Sequence, residues 1–203
     1  MGTESIEASF LSIFALISFF IFLLISKYSH KIKSGALLDK DFSKPQAFHD
    51  TPVTRSGGIA AIVSLGIFFY IYYLLYEDVL YNYIFISCSV FTIGFLDDLR
   101  INIKPLSRLV IMILLLFSSI YILPIKILNI DIPFLTYLMS SHLFSSIFVL
   151  LCFLFVINGA NLIDGFNGLL TINLIIINII LAYININNGY LEFSILIISQ
   201  III

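Results

Sequence analysis

Charged side chains are scarce in this chain of 203 residues, because aspartate, glutamate, lysine and arginine together make up only 11% of it. A soluble domain carries about 25% of such residues. Hydrophobic residues account for 61% of the sequence, and the mean hydropathy is +1.12. The composition therefore excludes an ordinary soluble domain and indicates an integral membrane protein.

Cysteine is also rare, and basic residues are missing from the leader. Cys88 and Cys152 both lie inside apolar runs, so their positions predict neither a disulfide nor a metal site. The leader MGTESIEAS contains two glutamates and no lysine or arginine, which excludes an ordinary signal peptide. The formal net charge of −2 favours no particular partner, and we expect no nucleic-acid ligand.

Long apolar segments are abundant, and they lack the alternation of an outer-membrane barrel. A helix needs about 20 apolar residues to cross the hydrocarbon core. The segments comprise residues 10–26, 59–76, 80–96, 109–123, 143–157, 169–182 and 191–203. They predict an all-α, polytopic helix bundle with about seven transmembrane segments, folded as a single integral membrane domain over residues 1–203. The last segment is too short to span, so we expect the chain to be the front part of a longer protein.

Lysine and arginine are confined almost entirely to two loops. Residues 27–56 hold six of the ten and residues 97–108 hold three, so only Lys126 lies elsewhere. An alternating topology places both loops on one side, which the positive-inside rule makes cytoplasmic. The N-terminus then lies outside. Residues 124–142 lie there too, and their sequence PIKILNIDIPF alternates as a short surface strand does.

The sequence NGANLIDGFNG, at residues 158–168, is a polar stretch between two apolar segments on the cytoplasmic side. Asn158, Asn161 and Asp164 are spaced by three residues and would share one stripe of a helix. The glycines at 159, 165 and 168 disfavour a fully regular helix and leave backbone groups accessible to a ligand. The alternative is an interhelix turn, but a turn needs only about 4 to 6 residues and this stretch adds a carboxylate.

Two further unusual segments lie on the same side. In FLDDLRINIKPLSR, Asp97 and Asp98 end an apolar helix, where a carboxylate is costly unless it is paired, solvated or bound to a cation. The alternative is that both are solvated and neutralised by nearby arginines. In KPQAFHDTPVTRSGGIA, Lys44, His49 and Arg55 offer cationic donors for phosphate, although a basic loop also arises from the positive-inside rule alone.

The three segments resemble one enzyme family. HDTPVTRSGGIA, GFLDDLR and NxxNLIDGFNGL, in this order, are similar to the motifs of the polyprenyl-phosphate N-acetylhexosaminyl-1-phosphate transferases, which form glycosyltransferase family 4. The resemblance covers the chain from about residue 38 onward. It implies a multi-pass enzyme of the bacterial inner membrane that transfers a sugar 1-phosphate from a UDP-N-acetylhexosamine to undecaprenyl or another polyprenyl phosphate and releases UMP.

The resemblance also implies roles for nine residues. Asp97, Asp98 and Asp164 are the implied catalytic residues, and Asp164 and Asp97 the implied ligands of Mg²⁺, with Mn²⁺ as a substitute. Mg²⁺ needs only one or two protein carboxylates when substrate phosphates complete its shell. One of the paired aspartates would act as a general base or contact the lipid phosphate. The implied substrate-binding residues are Lys44, His49, Arg55, Asn158, Asn161 and Asn167.

The chain departs from the family pattern in two places. Asn167 stands where the family commonly has a second aspartate, and we expect it to tune substrate choice. The family's later helices and its histidine-rich cytoplasmic loop would lie beyond residue 203, so we expect this chain alone to be inactive and the full protein active. The loop HDTPVTRSGGIA is more similar to that of the family branch that initiates O-antigen, common-antigen or teichoic-acid chains. The Thr-Met-Gly-Gly loop that is typical of the peptidoglycan branch is missing from it.

Other functions stay open at the level of the sequence. An ion-coupled transporter uses acidic and amide residues at broken helices, but here these residues gather at one membrane face and no matching halves are visible. An inactive truncated fragment of the transferase is the other alternative. A homodimer is compatible with either.

Overall fold

The computed structural model describes residues 3–29, 38–39, 53–54, 56–98, 105–123, 127, 130, 132–163 and 168–203. This part of the chain contains eight α-helices and one pair of two-residue strands. The helices are α1 (Thr3–Ser29), α2 (Gly57–Tyr76), α3 (Tyr81–Asp98), α4 (Pro105–Ile122), α5 (Pro133–Met139), α6 (His142–Ile163), α7 (Leu169–Asn187) and α8 (Leu191–Ile202). The strands are β1 (Leu38–Asp39) and β2 (Val53–Thr54).

Each of the seven predicted apolar segments is helical, so the all-α prediction is confirmed. Among the described residues, four helices are long and apolar enough to cross a membrane. These are α1 over Ala8–Ser29, α2, α6 over His142–Ala160, and α7. The apolar stretches of α3, α4 and α8 are shorter. A multi-pass membrane protein follows, whereas the number of seven crossings is compatible with these lengths and stays a prediction.

The segment between α4 and α6 differs from the sequence prediction at its described residues, while residues 124–126, 128, 129 and 131 lie outside them. Its alternating pattern predicted a short strand, but Pro133 and Phe134 begin helix α5, while Ile127, Ile130 and Ile132 have no regular secondary structure. Proline suits the first helical position because its φ is already helical and its missing N–H has no partner there in any helix. The local preference of Pro133 thus outweighs a weak alternation of apolar residues.

An antiparallel pair that the sequence did not predict lies in the basic segment before α2. Leu38 pairs with Thr54, and Asp39 pairs with Val53. The pair joins the two ends of the stretch 40–52. Helix α2 begins shortly after β2, and Gly57 and Gly58 belong to its first turn.

The chain divides into two compact units. One comprises residues 1–80 and 164–203, and the other comprises residues 81–163. The first contains α1, α2, α7 and α8, and the second contains α3 to α6. The prediction of a single membrane domain over residues 1–203 stays a prediction.

In the first unit, α1 packs against α2 through aromatic and small side chains. Phe10 stacks on Phe68 with 5.5 Å between ring centroids, and Phe14 meets Phe68 edge to face at 5.4 Å. One helical turn after Phe14 on α1 and one turn before Phe68 on α2, Ser18 and Ser64 are fully buried. Small residues let apolar helices approach closely, which matters in lipid because van der Waals packing drives helix association there.

Helix α7 of the same unit has the polarity of a lipid-facing helix. Its less exposed stripe contains Ile175, Asn178, Ala182 and Asn185, and its main neighbour is α8. Its exposed face is aliphatic, with Ile176 and Ile180 both about half exposed. An exposed face that is mainly aliphatic, on a helix without any charged residue, is the opposite of the pattern of a soluble amphipathic helix. This reversal supports membrane insertion of the unit.

In the second unit, α4 packs against both α3 and α6. The core combines side chains from all three helices, namely Ile93, Met112, Leu116, Ile120, Val149 and Leu150. Because α4 lies between the other two helices, the end of α3, the start of α4 and the end of α6 come together at one end of the unit. The acidic pair and the asparagines of the sequence motifs belong to these helix ends.

Candidate active site

A cavity of about 170 Å³ lies in the second unit, toward the end at which α3 ends and α4 begins. Helix α3 lines it with Val90, Ile93 and Gly94, α4 with Arg108 and Met112, and α6 with Ile157 and Asn158. The walls are mostly apolar, and the polar lining consists of one guanidinium and one amide. Pockets for complete drug-sized ligands occupy about 300 to 1,000 Å³, so this cavity suits one part of a larger substrate.

The floor of the cavity belongs to the hydrophobic core. Ile93 and Met112 are buried core residues, and Val90 and Ile157 pack against that core. Gly94 supplies no side chain, and a Cβ at its position would meet no atom within 4 Å. The cavity thus combines well-packed walls with open space at one glycine.

Asn158 is held in place by its own helix. Its Nδ2 donates a hydrogen bond to the carbonyl oxygen of Leu154, one turn earlier, at 2.7 Å. The side-chain carbonyl of an amide remains an acceptor when the nitrogen donates. Asn158 can therefore accept a hydrogen bond from a substrate hydroxyl, or contribute an oxygen to a cation, from a fixed position.

Arg108 lies in the first turn of α4 and is half-buried. A cation at a helix N-terminus is disfavoured by the helix dipole, whereas an anion is favoured there. A phosphate in the cavity would interact with both the guanidinium and the start of α4. Sequence reasoning treated Arg108 only as a neutralising neighbour of the acidic pair, and its position in the first turn of an apolar helix was the signal that could have singled it out.

On α3 and α6, predicted site residues follow the cavity-lining residues at helical spacing. On α3, Asp97 lies three residues after Gly94 and four after Ile93, and Asp98 lies four after Gly94. Residues three and four apart share one face of a helix. Asp97 therefore extends the cavity-lining face of α3 toward its C-terminal end, which agrees with the predicted helix end at the acidic pair.

The same relation holds on α6. Asn161 lies three residues after Asn158 and four after Ile157, so it extends the face of α6 that lines the cavity. The expected irregularity at Gly159 is absent, because α6 runs through it to Ile163. Directly before α7, Gly168 adopts a left-handed conformation with φ 77°. Only glycine adopts this conformation without strain.

Five predicted site residues lie outside the described residues. They are Lys44, His49, Arg55, Asp164 and Asn167. Lys44 and His49 belong to the stretch that β1 and β2 enclose, and Arg55 directly precedes Ser56, the residue before α2. Asp164 and Asn167 belong to the stretch between the end of α6 and Gly168.

No group of three or more histidine, cysteine, aspartate or glutamate side chains that could hold a metal ion occurs among the described residues. The cavity lining contains the amide of Asn158, and Asp97, Asp98 and Asn161, whose side chains lie outside the described part of the structure, follow in the sequences of α3 and α6. Oxygen donors with one or two carboxylates are the set that Mg²⁺ prefers when a substrate supplies further oxygens. The residue types of the acidic pair and the asparagine motif, which are oxygen donors without thiolate or imidazole, are thus compatible with Mg²⁺.

Comparison with known proteins adds one decisive observation. The sequence profile of glycosyl transferase family 4 matches residues 79–203, which contain α3 to α8 and both the acidic pair and the asparagine motif. The chain belongs to glycosyl transferase family 4. No curated protein and no solved structure matches the chain.

Family 4 membership confirms the resemblance and assigns a general activity. The family consists of membrane transferases that move a sugar phosphate from a sugar nucleotide to a polyprenyl phosphate, and this chain is a transferase of that kind. The match favours an enzyme over an ion-coupled transporter. It begins after α2, so the basic segment with Lys44, His49 and Arg55 lies outside the matched residues.

Proposed function

We propose that this family 4 enzyme transfers N-acetylhexosamine 1-phosphate from its UDP derivative to undecaprenyl or a similar polyprenyl phosphate, and so supplies the first lipid-linked sugar of a bacterial cell-surface glycan. The reaction would take place at the cytoplasmic face of the inner membrane, with Mg²⁺ as cofactor. The observation that carries the proposal is the cavity that residues of α3 shortly before the acidic pair form together with Arg108 of α4 and Asn158 of α6.

The acceptor explains the mixed character of this cavity. A polyprenyl phosphate joins an apolar chain to an anionic head, and the cavity joins apolar walls to the guanidinium of Arg108. An arginine can hold a phosphate through two parallel hydrogen bonds. We assign the walls formed by Val90, Ile93 and Met112 to the first part of the isoprenoid chain and Arg108 to its phosphate.

The chemical step joins two anions and therefore needs charge neutralisation. An oxygen of the acceptor phosphate forms a new bond to the sugar-bearing phosphorus of the donor, and the bond from that phosphorus to the bridging oxygen breaks. UMP leaves with the electron pair. Phosphoryl transfer depends mainly on positioning and on neutralising charge, which agrees with a site of carboxylates, amides and cations without a serine or cysteine nucleophile.

Asp164 and Asp97 are the proposed ligands of Mg²⁺, which when bound supplies positive charge between the phosphates. Asp98 would orient the acceptor phosphate or accept a proton from it. Asn158 and Asn161 would orient the diphosphate, and the basic residues Lys44, His49 and Arg55 would contact the nucleotide. Asn167 would influence which sugar is accepted.

The proposed function is tested by UMP release. Membranes that contain the full-length protein are incubated with UDP-N-acetylglucosamine or UDP-N-acetylgalactosamine, undecaprenyl phosphate and Mg²⁺. We expect UMP and a lipid-linked sugar phosphate in equal amounts, loss of both when EDTA removes the metal, and recovery on adding Mg²⁺ or Mn²⁺. UMP without the acceptor lipid, or full turnover in EDTA, would contradict the proposal.

Filling the cavity should weaken acceptor binding without harming the fold. We expect Gly94→Leu to raise the KM for polyprenyl phosphate by about tenfold or more, which is the scale of one misfitted apolar group in a pocket. The added Cβ meets no atom within 4 Å, and leucine is a better helix former than glycine. The KM for the UDP-sugar should change much less.

Gly66→Leu is the matched control for this change. Gly66 is also a glycine inside a helix, α2, and a Cβ there likewise meets no atom within 4 Å. It is not one of the residues that line the cavity. If both variants changed the KM for polyprenyl phosphate equally, the cavity would not be the acceptor site.

A further inference from the structure

Helix α5 is an exception among the helices of the second unit, because none of its residues is buried. It has seven residues, Pro133–Met139. At 1.5 Å per residue it is about 10 Å long, and it is thus too short to cross a hydrocarbon core of about 30 Å. Phe134 and Tyr137 are 70% and 77% exposed, respectively.

The composition of α5 does not suit a helix in water. The sequence PFLTYLM contains no charged residue, and neither does any other position in 132–163. Its least exposed residues are Leu135, Leu138 and Met139, which form one stripe, and the helix contacts α6. The aromatic residues Phe134 and Tyr137 lie beside this stripe rather than on it. An exposed aromatic face with no charge is suited to a membrane surface, where aromatic rings concentrate.

The backbone groups at both ends of α5 need few hydrogen bonds from water. Its first residue is a proline, which has no N–H to satisfy. At the other end, the hydroxyl and the amide of Ser140 donate to the carbonyl of Tyr137 at 2.6 and 3.3 Å, and the amide of Ser141 donates to the carbonyl of Leu138 at 3.1 Å. Unsatisfied backbone groups are costly near lipid, and these hydrogen bonds reduce that cost.

In the chain, α5 lies between two long apolar helices. It connects the end of α4 to the start of α6, at the end of the unit opposite to the cavity. Exposed apolar side chains continue from α5 onto both neighbours, through Tyr121 and Ile122 of α4 and Leu143 of α6. Exposed apolar side chains therefore occur on α5 and on the adjoining ends of both neighbours, and α6 is one of the helices long and apolar enough to cross a membrane.

We infer that α5 lies flat in the headgroup layer of the membrane face opposite to the cavity, with Phe134 and Tyr137 inserted among the lipids. The partner is the lipid surface itself. Helix α4 has 18 residues and is about 27 Å long, so a fixed depth at α5 also fixes the depth of the cavity at the other end. This inference goes beyond the proposed transferase reaction and does not depend on it.

Tryptophan fluorescence tests this placement, because the chain contains no tryptophan of its own. Phe134→Trp and Tyr137→Trp each introduce a single reporter into the full 203-residue chain, which is reconstituted in phosphatidylcholine vesicles. The lipids carry bromine either near the headgroup end of the acyl chain or near its methyl end, and iodide serves as a quencher in water. Ile177→Trp, at the middle of α7 and half exposed, provides a reference for the bilayer centre.

We expect both reporters on α5 to be quenched at least about twofold more by the shallow bromine than by the deep one, as an interfacial depth of about 5 to 10 Å requires. Ile177→Trp should show the reverse order. Three results would overturn the inference: quenching by iodide as complete as that of N-acetyltryptophanamide in buffer, stronger quenching by the deep bromine, or protection from every quencher. The last result would mean that protein, such as a second copy of the chain, covers the helix.

Discussion

The variant Asp164→Asn in the full-length protein is expected to lose transferase activity by about a hundredfold or more, the scale of removing one group that stabilises transition-state charge. The change replaces a carboxylate by an amide of the same size, so it removes negative charge at the proposed metal site and little else. The measurement is the initial rate of UMP release at saturating UDP-sugar and acceptor, over a range of Mg²⁺ concentrations. A higher Mg²⁺ requirement is expected in the residual activity, because a metal site with one carboxylate fewer binds Mg²⁺ more weakly.

Asn167→Asp is the control for this variant. It changes a neighbouring residue of the same motif in the opposite direction and should affect the rate only mildly, with its effect expressed in the choice between UDP-sugars. Both variants should insert into membranes in the same amount as the unmodified protein. Near-normal turnover of Asp164→Asn at low Mg²⁺ would show that Asp164 is not a metal ligand.

The second large effect is expected at Arg108. Replacing it by glutamine removes the positive charge from the cavity lining and keeps much of the side-chain volume. A hydrogen bond to a charged group contributes about 1.5 to 3 kcal/mol, so kcat/KM for polyprenyl phosphate should fall by about ten- to a hundredfold. Lysine at this position should restore part of the loss, because it keeps the charge but not the paired hydrogen bonds of a guanidinium.

The two substrates separate the possible roles of Arg108. A rise in KM for the acceptor with little change for the UDP-sugar supports contact with the lipid phosphate. A change in the KM for the UDP-sugar alone would indicate that Arg108 contacts the donor substrate. An unchanged kcat/KM for both substrates would indicate that Arg108 is only a counter-ion of the acidic pair. Its position in the first turn of α4, where a bound anion is favoured, argues for the first result.

The sequence predicted the protein class, an integral membrane protein, and most of the helices, because both follow from local composition. Stretches of apolar residues become helical in a membrane wherever they occur, since every backbone group must be satisfied within the segment. Asp97 and Asp98 ended α3 as expected for the same reason: two carboxylates cannot continue into hydrocarbon. Helix α5 was missed because one proline at a helix start outweighed a weak alternation of apolar residues.

The regular course of α6 through Gly159 was also missed, and the reason is different. A glycine lowers helix stability by only about 1 kcal/mol relative to alanine, which the hydrogen bonds of a long apolar helix readily offset. The helix therefore continues through Gly159 to Ile163, whereas Gly168 has a positive φ, which favours glycine. Glycine content alone could not distinguish the two positions.

By itself, the sequence determined that this protein is a polytopic membrane protein of glycosyl transferase family 4, with an acidic pair and an asparagine motif at helix ends. It did not determine which faces of the helices meet. Helices such as α3 and α6 are apolar almost all round, so their sequences favour no particular face, and packing against α4 decides which side chains converge. Only the tertiary structure therefore placed Gly94, Arg108 and Asn158 around one cavity and left the aromatic residues of α5 exposed.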